Sequence, residues 1–124
     1  MRTPRPNSRW TAHRGEHRER YEKYMTSPAW FTRRSWWLAE HHTRTGTFAS
    51  CLVCGNPDID LHHLDYAFGH EKYDDLLPLC RTHHTRLHNA WDAIPQLRRL
   101  GRRASSILPV IHMRRLSTDP SNLS

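Results

Sequence analysis

Cys51-Leu-Val-Cys54-Gly55 and Cys80-Arg-Thr-His83-His84-Thr-Arg-Leu-His88 bracket a span that also holds Ile59-Asp-Leu-His62-His63-Leu64. The pairs Cys51-x-x-Cys54 and Cys80-x-x-His83 are two knuckles, each offering two ligands to one tetrahedral ion, and Cys3His is a standard closed zinc set. Twenty-five residues separate the knuckles, more than a zinc ribbon needs, so a further element is built between them. Gly55 suits a tight turn after the first pair. Buried thiols that bind nothing are the alternative for Cys51 and Cys54, and the matched second pair argues against it. With 3 cysteines in the chain, an intramolecular disulfide framework would leave one unpaired, which favours a reducing compartment.

Six of the eleven histidines fall between His62 and His88. His84 and His88, spaced four apart, point to one side of a helix, where two imidazoles grip a divalent metal. The run Ile59 to Leu64 has the pattern of a strand, so His62 and His63 face opposite ways and can do different work. A His-rich surface, or one zinc site with spare ligands, is the alternative that these residues leave open.

Outward from this centre, Ser27-Pro28 forms a helix start, with a capping serine and proline at the first helical position. The helix runs from Pro28 to about Thr45, and Gly46 ends it. Trp30, Arg34, Trp37 and Leu38 share one of its faces, which is expected to pack against the metal-bound centre. Base stacking is another use of those rings. An earlier helix is expected over Glu16 to Met25. Residues 1–20 carry six arginines and form either a loose arm or a DNA-contacting one. After residue 91, helical stretches are expected over Pro95–Arg103 and Ser106–Leu116, and Ser117 to Ser124 forms a frayed end. Arg98, Arg99, Arg102, Arg103, Arg114 and Arg115 make this tail basic, as a solvated face or a phosphate-tracking surface. The division is thus a basic arm and short helix (1–26), a central domain (27–91) and a basic helical extension (92–124).

The whole chain is 124 residues with net charge +7 and 36% hydrophobic residues. That is one domain's length, with less apolar material than the usual ~45–50%. A small core of this kind is commonly stapled by a metal. The charge points to a polyanion, above all nucleic acid. Its source is 17 Arg and only 2 Lys, a skew that bidentate phosphate contacts favour and that a biased genome also produces. No apolar run approaches the ~20 residues of a membrane span, and the basic N-terminus lacks the apolar segment of a secretory signal. A soluble protein of the cytoplasm, with no membrane partner, is expected.

From Cys51 to His88 the chain resembles the zinc-knuckle type of HNH endonuclease domain. That family's pattern runs Cys-x-x-Cys-Gly, His-His-Leu-x-Tyr, Asp-Leu-x-x-Leu-Cys-x-x-Cys-His and a closing His. Ser27-Pro-Ala-Trp30 is similar to the helix that precedes its first knuckle, so the likeness covers roughly residues 27–90. It implies an α+β fold: a ββα-metal core stapled by the zinc of Cys51, Cys54, Cys80 and His83, flanked by N- and C-terminal helices. It also implies His63 as general base, Asp75 in place of the Asn that orients the base loop, and a catalytic metal on His62, His84 and His88. Two departures stand out: an ionised Asp75 cannot donate a hydrogen bond, and His83 replaces a cysteine.

The expected activity is metal-dependent hydrolysis of DNA phosphodiesters in a bacterial or phage-infected cell, nicking or cutting both strands. Such a reaction needs a deprotonated water and a cation to absorb developing charge. A histidine with an ordinary pKa near 6.5 suits the first task. The catalytic ion is Mg2+, Mn2+, Zn2+ or Ni2+, all-imidazole ligation favouring the last two. Arg81, Arg86, Arg98, Arg99, Arg102 and Arg103 are the expected DNA contacts. A zinc-stapled nucleic-acid-binding module without catalysis is the competing class, and a His-rich protein-interaction domain leaves the basic flanks unexplained. Deaminase chemistry wants Pro-Cys-x-x-Cys, whereas Ser50 precedes Cys51. His70-Glu71-Lys-Tyr-Asp74 is not the zincin His-Glu-x-x-His.

Overall fold

The computed structural model describes residues 18–65 and 67–118. The arm before residue 18, Tyr66 of the His-His-Leu-x-Tyr pattern and the end beyond residue 118 lie outside the described residues. The fold is α+β. In chain order come α1 (residues 18–25), α2 (Pro28–Thr45), β1 (Asp60–His63), a 3-10 turn (Tyr73–Asp75), β2 (Leu76–Leu79), α3 (Arg81–Ala93), a 3-10 segment (Pro95–Leu100) and α4 (Arg102–Thr118). Among the described residues, no helix is long and apolar enough to cross a membrane.

β1 and β2 pair antiparallel, with Asp60 opposite Leu79 and His63 opposite Leu76. Two four-residue strands are not stable alone in water, so the flanking helices must supply the core. Pro78 cannot donate to a ladder, but its carbonyl accepts the Leu52 N–H at 3.0 Å, tying the first knuckle to β2. Cys80 stands at the N-cap of α3, and its carbonyl accepts the His84 N–H at 2.8 Å. One residue therefore serves as both knuckle and helix start.

α2 begins and ends where its caps direct. Ser27 Oγ accepts the Trp30 N–H at 3.2 Å, and Gly46 takes the left-handed conformation at φ 75°, its N–H reaching the His42 carbonyl. The buried residues of α2, Trp30 and Trp37, belong to one hydrophobic cluster with Cys51 and Cys80 of the two knuckles. Trp37 stacks on Tyr73 at 5.3 Å and donates its indole N–H to the Tyr73 carbonyl at 2.9 Å. Trp30 lies against His63, with ring centroids 4.9 Å apart. Trp91 of α3 lies against the His62–His84–His88 cluster, 5.5 Å from His62 and 4.7 Å from His88.

The C-terminal half departs from expectation in two ways. The Pro95–Arg103 stretch is not one helix: it is 3-10 to Leu100 and breaks at Gly101, whose φ of 85° and ψ of 162° leave the helical region. α4 then starts at Arg102, not Ser106, so Pro109 sits in its interior. An interior proline removes a backbone N–H and usually costs about 3 kcal/mol. Here the carbonyl that loses its partner is that of Ser105, four residues earlier, and the Trp91 indole N–H donates to it at 2.7 Å. That bond crosses the expected boundary at 91/92, as do the contacts of Arg102 and Ser106 with β1 described below. The extension packs onto the central domain.

Candidate metal centres

Cys51, Cys54, Cys80 and His83 bring one ligand atom each to within 4.8 Å of all the others. Cys54 Sγ lies 3.8 Å from Cys80 Sγ, and His83 Nδ1 lies 3.6 Å from Cys51 Sγ and 3.2 Å from Cys80 Sγ. An ideal tetrahedron with Zn–S of about 2.3 Å and Zn–N of about 2.0–2.1 Å sets sulfurs about 3.8 Å apart and sulfur–nitrogen pairs about 3.5 Å apart. The four donors therefore fit a structural ion such as Zn2+. Burial opposes the Cys51 thiolate, but N–H donors of Cys80, Cys54 and Val53 hold its pKa below the ordinary value. This favours the deprotonated sulfur that a cation needs.

A second trio converges on the other side of α3. His84 Nε2 lies 3.1 Å from His62 Nδ1 and 3.2 Å from His88 Nε2. Nitrogens bound at about 2.0–2.1 Å to one ion stand roughly 2.8–3.4 Å apart for octahedral to tetrahedral angles. Exposure rises from buried His62 through half-buried His84 to exposed His88, so the cluster opens to solvent at its His88 end. The remaining nitrogens of the inner two rings are also engaged. His62 Nε2 meets Ser106 Oγ at 2.9 Å, and His84 Nδ1 approaches Asp60 Oδ2 at 3.4 Å. Desolvation, then the His84 charge, pushes the His62 pKa down to about 2 and that of His88 to about 4. Both imidazoles are thus neutral at physiological pH, the form that ligates metal.

His63 projects from the opposite face of β1, as strand alternation requires. Its Nε2 lies 2.8 Å from Glu71 Oε2. Glu71 is itself buried, at 1% exposure, with both carboxylate oxygens 2.8 Å from the Tyr24 hydroxyl and Oε1 4.0 Å from Arg33 Nε. Burial lowers the His63 pKa, and the Glu71 hydrogen bond and charge oppose that. The Tyr24 phenol is pushed up to about 12 by burial and by Glu71. With Nε2 engaged, Nδ1 is the remaining ring nitrogen, and it is buried with no hydrogen-bond partner among the described residues. Rings of Tyr21, Tyr24, Trp30 and Phe68 surround it, and His63 is 2% exposed.

Sequence reasoning missed Glu71. It sits in an aperiodic loop, and its partner Tyr24 lies 47 residues away, so no local pattern marks it. Tyr24→Phe should cost about 1.5–3 kcal/mol, the range for a hydrogen bond to a charged group. In urea unfolding, the midpoint is expected to fall with the slope unchanged. An unaltered midpoint would show that the Tyr24–Glu71 contact carries no stability.

No hydrogen bond joins Asp75 to the His63 ring among the described residues. Its Oδ2 accepts the Lys72 N–H at 2.8 Å, its Oδ1 pairs with Arg103, and its carbonyl accepts the Leu64 N–H at 2.7 Å. It braces the backbone beside His63 through the main chain. Of the arginines expected on DNA, Arg102 donates to the His63 carbonyl at 3.0 Å, Arg103 to the Asp74 carbonyl at 3.1 Å, and Arg98 pairs with Asp92 at 3.1 Å. These three each bond to the protein itself, Arg103 while still exposed, and Arg81, Arg86 and Arg99 are exposed as well. Arg81 lies one turn before His84 on the same face of α3.

No family model matches the chain, and no solved structure matches it. Among curated proteins it is similar to the uncharacterized protein YdfU of Escherichia coli (strain K12), at 40% identity over 75 residues. The match takes in 54% of this chain and 20% of that protein, so the chain spans about one fifth of that relative's length.

Proposed function

We propose that this chain is a metal-dependent DNA endonuclease of the HNH type, with a ββα-metal core. One observation carries this: consecutive residues of β1 belong to two chemically distinct centres. His62 is one of three converging imidazoles, while His63 is held by a buried carboxylate. A structural role alone explains the Cys3His set but not a second, solvent-open trio beside a histidine with one nitrogen uncommitted.

In this reading His62, His84 and His88 would hold the catalytic divalent ion, which would supply positive charge to the scissile phosphate and the leaving 3′ oxygen. His63 takes the proton of the attacking water at Nδ1, because Nε2 donates to Glu71. The Glu71 charge stabilises the imidazolium that forms, as a carboxylate does for a histidine base. Asp75 and Arg102 hold the backbone around His63, and Arg81 is set to meet the phosphate chain near the trio. Products are a 5′-phosphate and a 3′-hydroxyl. The burial of His63 requires that DNA engagement open the aromatic surround before water reaches Nδ1.

That same burial favours one competing reading, in which His63 is a core residue and the protein is a zinc-stapled DNA-binding module. Supercoiled plasmid incubated with the protein and Mg2+, Mn2+, Zn2+ or Ni2+ separates the two. Nicked or linear product that disappears with chelator is expected. Gel-shift binding without cleavage in every metal would leave the binding module as the function.

A further inference from the structure

Helix α4 lies outside the segment with the HNH-like pattern, yet its buried face reaches the histidine trio. Ser106 is 0% exposed, and its hydroxyl sits 2.9 Å from His62 Nε2, the nitrogen turned away from His84 and His88. We propose that Ser106 is a positioning residue for the three-imidazole metal centre, so that α4 completes that centre. This rests on the trio's being a metal site, one component of the function proposed above, and not on its cutting DNA.

The chemistry follows from tautomers. A cation on His62 Nδ1 takes that nitrogen's lone pair, so the ring proton must sit on Nε2. In a buried site an Nε2–H without an acceptor is costly. Ser106 Oγ is the acceptor at hydrogen-bond distance, and it holds the ring rotation that aims Nδ1 at the other two imidazoles. Ligating histidines generally have such an outer partner, whose loss weakens metal binding about 10–100-fold. For His84 the corresponding group is Asp60, from the same strand as His62. For His62 it comes from 44 residues downstream. The helix is fastened in that position by Trp91 on the Ser105 carbonyl and by Arg102 on the His63 carbonyl. A serine on the inward face of a helix otherwise packed through Val110 and Met113 thereby has a reason to be polar.

Protein holding one equivalent of Zn2+ in its cysteine site is titrated with Ni2+ by calorimetry. Wild type is expected to bind one further ion, and Ser106→Ala to bind it about 10–100-fold more weakly. Ser105→Ala removes a neighbouring buried hydroxyl that donates to the Arg102 carbonyl, and should bind as wild type does. Equal affinity of wild type and Ser106→Ala would overturn the role of Ser106 and leave the metal site standing. Absence of a second ion in wild type would overturn both. Should Ser106→Ala fail to fold, nitrogen-15 shifts of the His62 ring in wild type with Zn2+ at both sites still decide. Nδ1 as the metal-bound nitrogen and Nε2 protonated are expected, and the reverse assignment sinks the proposal.

Discussion

Stripping the structural ion, or replacing Cys54 by serine, is expected to unfold the domain outright. Cys54 is exposed, so its side chain contributes little packing, and Cys54→Ser removes a ligand with almost no loss of core. Structural zinc in small domains supplies about 10–16 kcal/mol of apparent binding free energy, comparable to or larger than the whole stability of a typical domain, about 5–15 kcal/mol. The cluster joins the 51–55 loop to the first turn of α3. Without it, the core must rest on a few buried side chains such as Trp30, Trp37, Leu61, Leu79 and Leu87. Circular dichroism with thermal melting should show a cooperative transition for the zinc-loaded protein. For Cys54→Ser, or after a strong chelator, that transition should be lost. A zinc-free Cys54→Ser protein that still melts cooperatively near the wild-type temperature would remove the cluster from its structural role.

The elements governed by local chemistry are legible in the sequence. Ser27-Pro28 and Gly46 delimit α2 because caps act within one turn. The opposite orientation of His62 and His63 follows from strand geometry alone, and the two knuckles from ligand spacing. What escaped was settled by partners far apart in sequence. Glu71 has meaning only once Tyr24 and His63 are beside it. Arg102 and Arg103 resembled a phosphate-binding run, yet both donate to carbonyls of the β1–β2 region. Pro109 suggested a helix starting just before it, because nothing local reveals that Trp91 satisfies the carbonyl it leaves open. Gly101, the true break before α4, carries no marker beyond its own flexibility. The three histidines stood out in the sequence and the groups around them did not, since Ser106 is an ordinary residue of a basic tail until α4 folds back.

Replacing His63 should have the largest effect on cleavage, and the choice of replacement decides what is learned. His63→Ala leaves Glu71 buried without its imidazole partner, so lost activity could reflect a disturbed core. His63→Gln is the cleaner test, because its amide N–H can still donate to Glu71 while the side chain cannot accept the water's proton. A positioned acid–base group contributes about 10²–10⁴-fold to rate, so the cleavage rate under saturating protein should fall by that factor in both variants. DNA binding by gel shift and the zinc content should stay near wild type in His63→Gln. The trio keeps its ligands, so the second metal ion should still bind. A His63→Gln protein that cuts at the wild-type rate would mean that His63 is a core histidine, and that any cleavage draws its base from elsewhere. Loss of cutting with binding and metal content intact would instead put the proton transfer at this ring. Its buried position would then be a state that DNA binding must alter.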